Sequence, residues 1–352
     1  MRWETLAARM TCDAAVVCHP VNRRYLTGFS SSAGTLFVTK KEAFLLVDSR
    51  YIEAASAINS GCTVLLEEDL PAQLQALVGR CNINSVGMET HYTSFALAQR
   101  MAQMIMPAQL LPDDDFCDLL LSMRSIKEPG ELACLRKAQE ITDAAFAATL
   151  GQVRPGISEL EIMMTMGNEM ARLGCEKRAF NMILTSGRYT SLPHGDPAIR
   201  TIEAGDLVMM DVGAMVGGYS ADMTRTFAVG HVSQEQREVY HTVLQAQEAA
   251  LAAIRPGVSC CSVDRVARDY IDASAYAGMF GHGLGHSLGL EIHENPRLNP
   301  VFQTLLQPGM VMTVEPGIYL PGKFGVRIED MIVVTEDGYE NYTHTPKTLT
   351  VI

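Results

Sequence analysis

No apolar run in this sequence approaches the roughly 20 residues that a bilayer crossing needs; stretches such as Ala43–Val47 and Leu207–Met210 stop far short of it. The N-terminus, Met1-Arg2-Trp3-Glu4, has no apolar signal segment, so the cytoplasm is the expected location. Positive charge is in the minority. Lys and Arg number 28 against 40 Asp and Glu, a net charge of −12 with an isoelectric point near 5.2, so neither nucleic acid nor an anionic membrane is an expected partner. Cys-x-x-Cys pairs are missing too. The nine cysteines, at 12, 18, 62, 81, 117, 134, 175, 260 and 261, are odd in number and scattered, which argues against a disulfide framework or a thiolate zinc site and for ordinary thiols in a reducing compartment.

What is present is a balanced globular composition, 47% hydrophobic and 19% charged, in 352 residues, enough for two domains at roughly 150 residues each. Between residues 14 and 110, apolar runs at Ala14–Cys18, Gly34–Val38, Ala43–Val47, Val64–Leu66 and Val86–Met88 read as strands. Amphipathic runs at Tyr51–Ile58, Ala72–Val78 and Ser94–Met104 read as helices, which together predict a small α/β domain. A polar break at Pro112-Asp113-Asp114-Asp115 precedes a long helical pattern opening at Lys127-Glu128-Pro129-Gly130-Glu131. The expected domains are 1–122 and 123–352.

The second domain contains an internal repeat. Val153-Arg154-Pro155-Gly156-Ile157-Ser158 recurs as Ile254-Arg255-Pro256-Gly257-Val258-Ser259, each between two helical patterns. The run Glu203 to Gly213, ending Asp211-Val212-Gly213, is echoed by Gln307 to Gly317, ending Glu315-Pro316-Gly317. Asp222, four residues after Gly218, matches Glu329, four after Gly325. One half-domain has been duplicated. Each half then offers one carboxylate at the end of an apolar strand and another on the next strand after a turn. A single acid there would merely end a strand or pair with an arginine, but four converging on a pseudo-two-fold axis cannot stay ionised in a buried site without cations. Two divalent ions would balance them.

The stretch Gly281-His282-Gly283-Leu284-Gly285-His286-Ser287 to His293-Glu294 adds three histidines. It lacks the dinucleotide fingerprint, any Gly-Lys-Ser/Thr and a His-Glu-x-x-His arrangement, and reads as glycine-rich backbone crowding a site lined by imidazoles.

Asp211, Asp222 within Gly-Tyr-Ser-Ala-Asp-Met-Thr-Arg-Thr, His286 within Gly-His-Ser-Leu-Gly-Leu-Glu-Ile-His-Glu, Glu315 within Thr-Val-Glu-Pro-Gly and Glu329 within Gly-Val-Arg-Ile-Glu-Asp together resemble the pita-bread-fold metallopeptidases (M24), in particular the Xaa-Pro aminopeptidase and prolidase branch. Asn22–Phe29 and Val47–Tyr51 resemble that branch as well. The implied fold is α+β, a C-terminal pita-bread domain with a pseudo-two-fold repeat behind a smaller α/β domain. The resemblance implies that Asp211 ligates one metal, His286 and Glu315 the other, and Asp222 and Glu329 bridge them. It implies substrate-holding and oxyanion-stabilising roles for His194, His282 and His293, a proton-carrying role for Glu315, and a tethering role for Arg327. Oxygen-dominated ligation favours Mn²⁺, with Co²⁺, Fe²⁺ and Zn²⁺ compatible. A peptide with proline at P1′ is the implied substrate and a homodimer the implied assembly.

Ser287 stands where many relatives of this branch have glycine. A dipeptidase needs a cation for the substrate's C-terminal carboxylate; Arg297 is a candidate that aminopeptidase-like relatives also share, and Thr304 stands where some prolidases have arginine. The sequence reading is therefore an Xaa-Pro aminopeptidase, with an Xaa-Pro dipeptidase as the alternative. A metal-free creatinase-like hydrolase and a non-catalytic binding module come behind, because all five ligand positions are kept.

Overall fold

The computed structural model describes residues 1–111 and 114–352, so Pro112 and Asp113 of the polar break lie outside the described residues. The chain divides into two compact units, Met1–Arg124 and Ser125–Ile352. No helix among the described residues is long and apolar enough to cross a membrane.

The first unit runs α1 (Arg2–Arg9), β1 (Ala14–Val17), α2 (Pro20–Thr27), β2 (Thr35–Thr39), β3 (Ala43–Val47), α3 (Ile52–Ala57), β4 (Thr63–Leu66), α4 (Leu70–Arg80), β5 (Ser85–Met88), α5 (Phe95–Met104), β6 (Gln109–Leu110) and α6 (Asp115–Ser125), whose last residue falls in the second unit. Its six strands form one mixed sheet in the order β4-β3-β2-β1-β5-β6. All five expected strands and three expected helices are present to within a few residues. Two short helices escape the periodicity argument. In α1 the buried Trp3, Leu6 and Ala7 fill a single turn of apolar stripe, and α2 is set by its ends, Pro20 in the first turn and Gly28 at φ 75° closing it. Phe37, Phe44, Leu74 and Met101 are among the residues of the core between sheet and helices.

The second unit begins with α7 (Pro129–Leu150) and α8 (Glu159–Arg172), then β7 (Lys177–Arg178), β8 (Ile183–Ser186) and the strands β9 (Leu207–Val212), β10 (Ala214–Val216), β11 (Tyr219–Ser220) and β12 (Met223–Ala228). After α9 (Gln234–Ala253) and α10 (Cys260–Asp272) come β13 (Gly285–Ser287), β14 (Glu294–Leu298), β15 (Val311–Val314), β16 (Gly317–Leu320), β17 (Phe324–Arg327), β18 (Asp330–Val334) and β19 (Tyr339–Asn341). At the head of α7, Pro129 occupies the first turn and the Glu131 carboxylate accepts from Glu128 N at 2.7 Å, closing a capping box.

Each half is two helices followed by a long hairpin, and the repeated turns bond alike. Gly156 N donates to Ile202 O at 2.8 Å and Gly257 N to Leu306 O at 2.9 Å; Ile202 N returns to Ile157 O and Leu306 N to Val258 O. Of the clusters of buried apolar residues among the described residues, one draws mainly on each half. Ile141, Phe146, Met166, Met210 and Phe227 belong to the first, and Val243, Val263, Ile271, Met312 and Ile332 to the second.

The hairpins differ from the repeat expectation in one respect. Asp222 and Glu329 lie not on strands but in two-residue breaks, between β11 and β12 and between β17 and β18. The pairing continues through each break. Val212 opposes Met223 and Met215 opposes Ser220 in the first hairpin, which sets Asp222 against Gly213; Val314 opposes Asp330 and Gly317 opposes Arg327 in the second, which sets Glu329 against Glu315. Gly213 permits this closeness, since a Cβ there would lie 2.0 Å from Ala221 O. The first hairpin turns on Gly217-Gly218 alone, at φ 58° and 80°, the left-handed pair a two-residue hairpin needs; the second turns on Pro321-Gly322-Lys323. The duplicated acids thus differ by two residues in pairing. Because side-chain direction alternates with a period of two, that difference leaves them on the same face.

Candidate metal centre

Asp211 is carried by β9, Asp222 by the break before β12, Glu315 by the residue after β15, Glu329 by the break before β18 and His286 by β13. The two hairpins meet where Glu329 N donates to Thr224 O at 3.1 Å. One ligating atom each from Asp222, His286 and Glu329 lie within 4.8 Å of one another. Glu315 joins them, its Oε1 3.5 Å from His286 Nε2, while Asp222 Oδ2 is 3.6 Å from the same nitrogen.

The imidazole of the donor set turns an unprotonated nitrogen inward. His286 Nδ1 is 3.1 Å from the Ser287 carbonyl, which can only accept, so Nδ1 holds the ring proton and Nε2 turns a lone pair towards the carboxylates. Burial, then the neighbouring His293, hold this imidazole at a pKa of about 3. Asp211 Oδ1, Asp222 Oδ1 and Glu329 Oε1 are buried without a hydrogen-bond partner. Burial pushes the Asp222 and Glu329 carboxyls well above their usual range, reinforced for Asp222 first by Glu329 and for Glu329 first by Glu315. Burial also raises Glu315 to about 8, against the opposing pull of Arg327. Orphaned carboxylate oxygens around an imidazole lone pair are uncompensated unless they hold a proton or a cation. These residues fit a divalent metal.

Hydroxyls and one guanidinium hold the set in place. Thr313 Oγ1 accepts from His286 N at 3.1 Å and donates to Glu315 Oε1 at 3.2 Å. Thr224 Oγ1 donates to Glu329 Oε2 at 2.7 Å and accepts from Arg327 Nε at 3.1 Å. Arg327, 2% exposed, also donates through Nη2 to Asp211 Oδ2 at 2.7 Å and through Nη1 to Tyr319 Oη at 2.9 Å and Pro193 O at 3.2 Å. His282 ends this chain. Its Nδ1 donates to Gly283 O at 2.8 Å, so its Nε2 accepts from Tyr319 Oη at 2.9 Å, and burial keeps its pKa near 4. Both ring nitrogens of His282 are thus engaged inside the protein, although its side chain also lines the cavity beside the carboxylates.

All nine residues singled out from the sequence, His194, Asp211, Asp222, His282, His286, His293, Glu315, Arg327 and Glu329, line one cavity of about 430 Å³, within the range of small-molecule sites. His194 and His293 are exposed within it, the His293 ring edge-on to His286 with centroids 4.5 Å apart. Phe180, Ile183 and Ile292 supply its apolar side, and Asn181, Arg297 and Asn299 further polar groups. Thr224 and Thr313 lie within the quoted motifs without having been singled out, and Tyr319 lies outside them. The one available signal is alternation, which puts Tyr319, two residues beyond Gly317, on that glycine's face of β16, but it does not reveal the hydrogen-bonded chain.

Residues 133–336 match metallopeptidase family M24, and residues 2–126 match the creatinase/prolidase N-terminal domain. An Xaa-Pro dipeptidase of Pyrococcus furiosus is 36% identical over 338 residues, 96% of this chain and 95% of that protein. Among solved structures, an Xaa-Pro dipeptidase from Bacillus anthracis superposes with a TM-score of 0.95 at 37% identity, covering 100% of this chain and 98% of the other. An X-Pro aminopeptidase from Thermotoga maritima gives 0.92 at 33% identity, covering 99% and 100%.

Proposed function

The chain belongs to metallopeptidase family M24, with the pita-bread fold behind an α/β N-terminal unit, and from that premise we propose that it is a dipeptidase hydrolysing Xaa-Pro. The length preference itself rests on the dipeptidase relatives, and the residue that would serve it is Arg297. Its side chain lines the cavity that holds the carboxylates, and no hydrogen bond or ion pair engages it among the described residues. A free guanidinium there suits the C-terminal carboxylate of a dipeptide, a charge that an Xaa-Pro-Yaa chain carries one residue further out. The names of the dipeptidase relatives point the same way. The aminopeptidase reading drawn from the sequence therefore yields to its alternative.

Asp211 would hold one metal, His286 and Glu315 a second, with Asp222 and Glu329 between them; Mn²⁺ suits this mostly oxygen donor set. Divalent cations in such a site polarise a carbonyl and lower the pKa of water towards neutrality. Glu315, lining the cavity beside the other carboxylates, would take a proton from water and deliver it to the leaving proline nitrogen. His293 and His194, exposed in the cavity, would donate to the developing oxyanion. Arg327 keeps Asp211 oriented, and Phe180 with Ile292 would exclude water around the proline ring. Five retained donors in one cavity favour catalysis over a binding module or a metal-free hydrolase. Nine cysteines without a disulfide among the described residues suit the cytoplasm. A homodimer rests on the family resemblance alone.

The test compares Ala-Pro, Ala-Ala and Ala-Pro-Ala with Mn²⁺-loaded protein. We expect Ala-Pro to exceed each of the others by at least tenfold in kcat/KM. Comparable cleavage of the tripeptide would restore the aminopeptidase reading, and comparable cleavage of Ala-Ala would remove proline specificity.

A further inference from the structure

Strands β13 and β14 pair with a slip beside the candidate ligand His286. Gly285 opposes Leu298 and His286 opposes Arg297, but the next residue, Ser287, opposes Glu294, so Asn295 and Pro296 face no residue of β13. Such a bulge disrupts the ladder and re-aims side chains, here bringing His293 edge-on to His286. Something must hold the slipped pair.

Lys127 does so. Its side chain is 1% exposed, and its ammonium donates to Ser287 Oγ at 3.2 Å and to Glu294 Oε2 at 3.1 Å, which are the two residues facing each other across the slip. The other oxygen of Glu294 accepts from Glu291 N at 3.2 Å and so ties down the loop leading into β14. Gly289 leaves room for this carboxylate, since a Cβ there would sit 3.0 Å from both its oxygens. At its other end Lys127 is fixed to the approach of β15, the strand leading to Glu315. Lys127 N donates to Gly309 O at 2.9 Å, and Ile126 bridges Met310. One cation therefore connects the strand bearing His286 to the strand leading to Glu315.

We propose that Lys127, acting through Glu294 and Ser287, is a positioning residue for the metal centre, holding the β13–β14 bulge so that His286 Nε2 faces Glu315 and Asp222. A buried ion pair is seldom a net gain over an apolar pair of similar volume, so its place beside a slipped ladder is explained by geometry. The inference extends the metallopeptidase reading, and Ser287 supplies a hydroxyl that glycine at this position would lack.

The test uses Co²⁺ as probe on chelator-stripped full-length protein, read by titration calorimetry and visible d–d absorption, without turnover. Lys127→Met alone would leave Glu294 buried without its cation, so the pair is replaced together as Lys127→Met/Glu294→Met. We expect near-native Tm with Co²⁺ bound at least tenfold more weakly and altered absorption bands. Wild-type affinity and bands in a folded double variant overturn the proposal. Should that variant fail to fold, Ser287→Ala, which keeps the ion pair, decides: an affinity loss of threefold or more supports the proposal and unchanged binding overturns it. If wild-type protein binds Co²⁺ yet cleaves no Xaa-Pro peptide, the dipeptidase reading fails while this one stands.

Discussion

Metal uptake by this site displaces protons, and the structure gives the direction and a minimum size. Without metal, burial and mutual repulsion hold Asp222 and Glu329 well above the usual carboxylate range and lift Glu315 from 4.5 to about 8. At pH 7 a group with a pKa near 8 is about nine-tenths protonated, so Glu315 alone releases close to one proton per metal-loaded site. Apparent affinity then rises at least about tenfold per pH unit between pH 6 and 7, and more steeply if Asp222 or Glu329 contributes a second proton. The same shifts fix how the metal-free fold responds to pH. Because these folded pKa values lie above the unfolded ones, the stabilisation is fully present below the unfolded values near 4 and is lost as pH rises towards 8. The slope reaches about 1.4 kcal/mol per pH unit for each such carboxyl. Calorimetric Mn²⁺ titration in two buffers of different ionisation enthalpy counts the protons, and urea melts of chelator-treated protein between pH 5 and 8 follow the stability. Binding without proton release, together with metal-free stability that rises across this range, would refute the account.

Asp222→Asn and Glu329→Gln each remove an orphaned carboxylate oxygen from the centre of the donor set; elemental analysis after Mn²⁺ loading should show metal stoichiometry cut by half or more with circular dichroism unchanged, and full occupancy would count against both ligand assignments. Arg297→Ala should raise KM for Ala-Pro by about tenfold or more, roughly 1.4 kcal/mol, and leave any slow tripeptide cleavage unaffected; an equal effect on both substrates would mean that the guanidinium does not read the terminal carboxylate. Tyr319→Phe removes the hydroxyl that accepts from Arg327 and donates to His282, and should cost about 1.5–3 kcal/mol in urea denaturation, since one partner is charged and both are buried. A loss below about 0.5 kcal/mol would show that water replaces it.

The sequence by itself determined the donor chemistry. Duplication wrote one half-domain twice, so Asp211 with Asp222 and Glu315 with Glu329 were legible as equivalent pairs, and a glycine-rich segment marked the imidazoles. It also determined five of the six strands of the first unit's sheet, because apolar runs such as Ala43–Val47 and Ala14–Cys18 are short and bounded. Tertiary structure alone decided how those acids meet. The repeat predicts equivalent pairing, yet Glu329 opposes Glu315 while Asp222 opposes Gly213, a difference set by where each hairpin turns and invisible in a matched motif. It also decided which polar groups hold the ligands. His282 and His293 look alike as histidines in one segment and both line the cavity, but the first is hydrogen-bonded to Gly283 and Tyr319 while the second packs edge-on against His286. Lys127, which the sequence marks only as the opening of a helical pattern, lies 160 residues from Ser287 and 167 from Glu294 and is buried against both. Local pattern fixes a side chain's chemistry and its strand or helix face. Its hydrogen-bond partner depends on which distant segment the cores bring against that face, and no single stretch of chain contains that information.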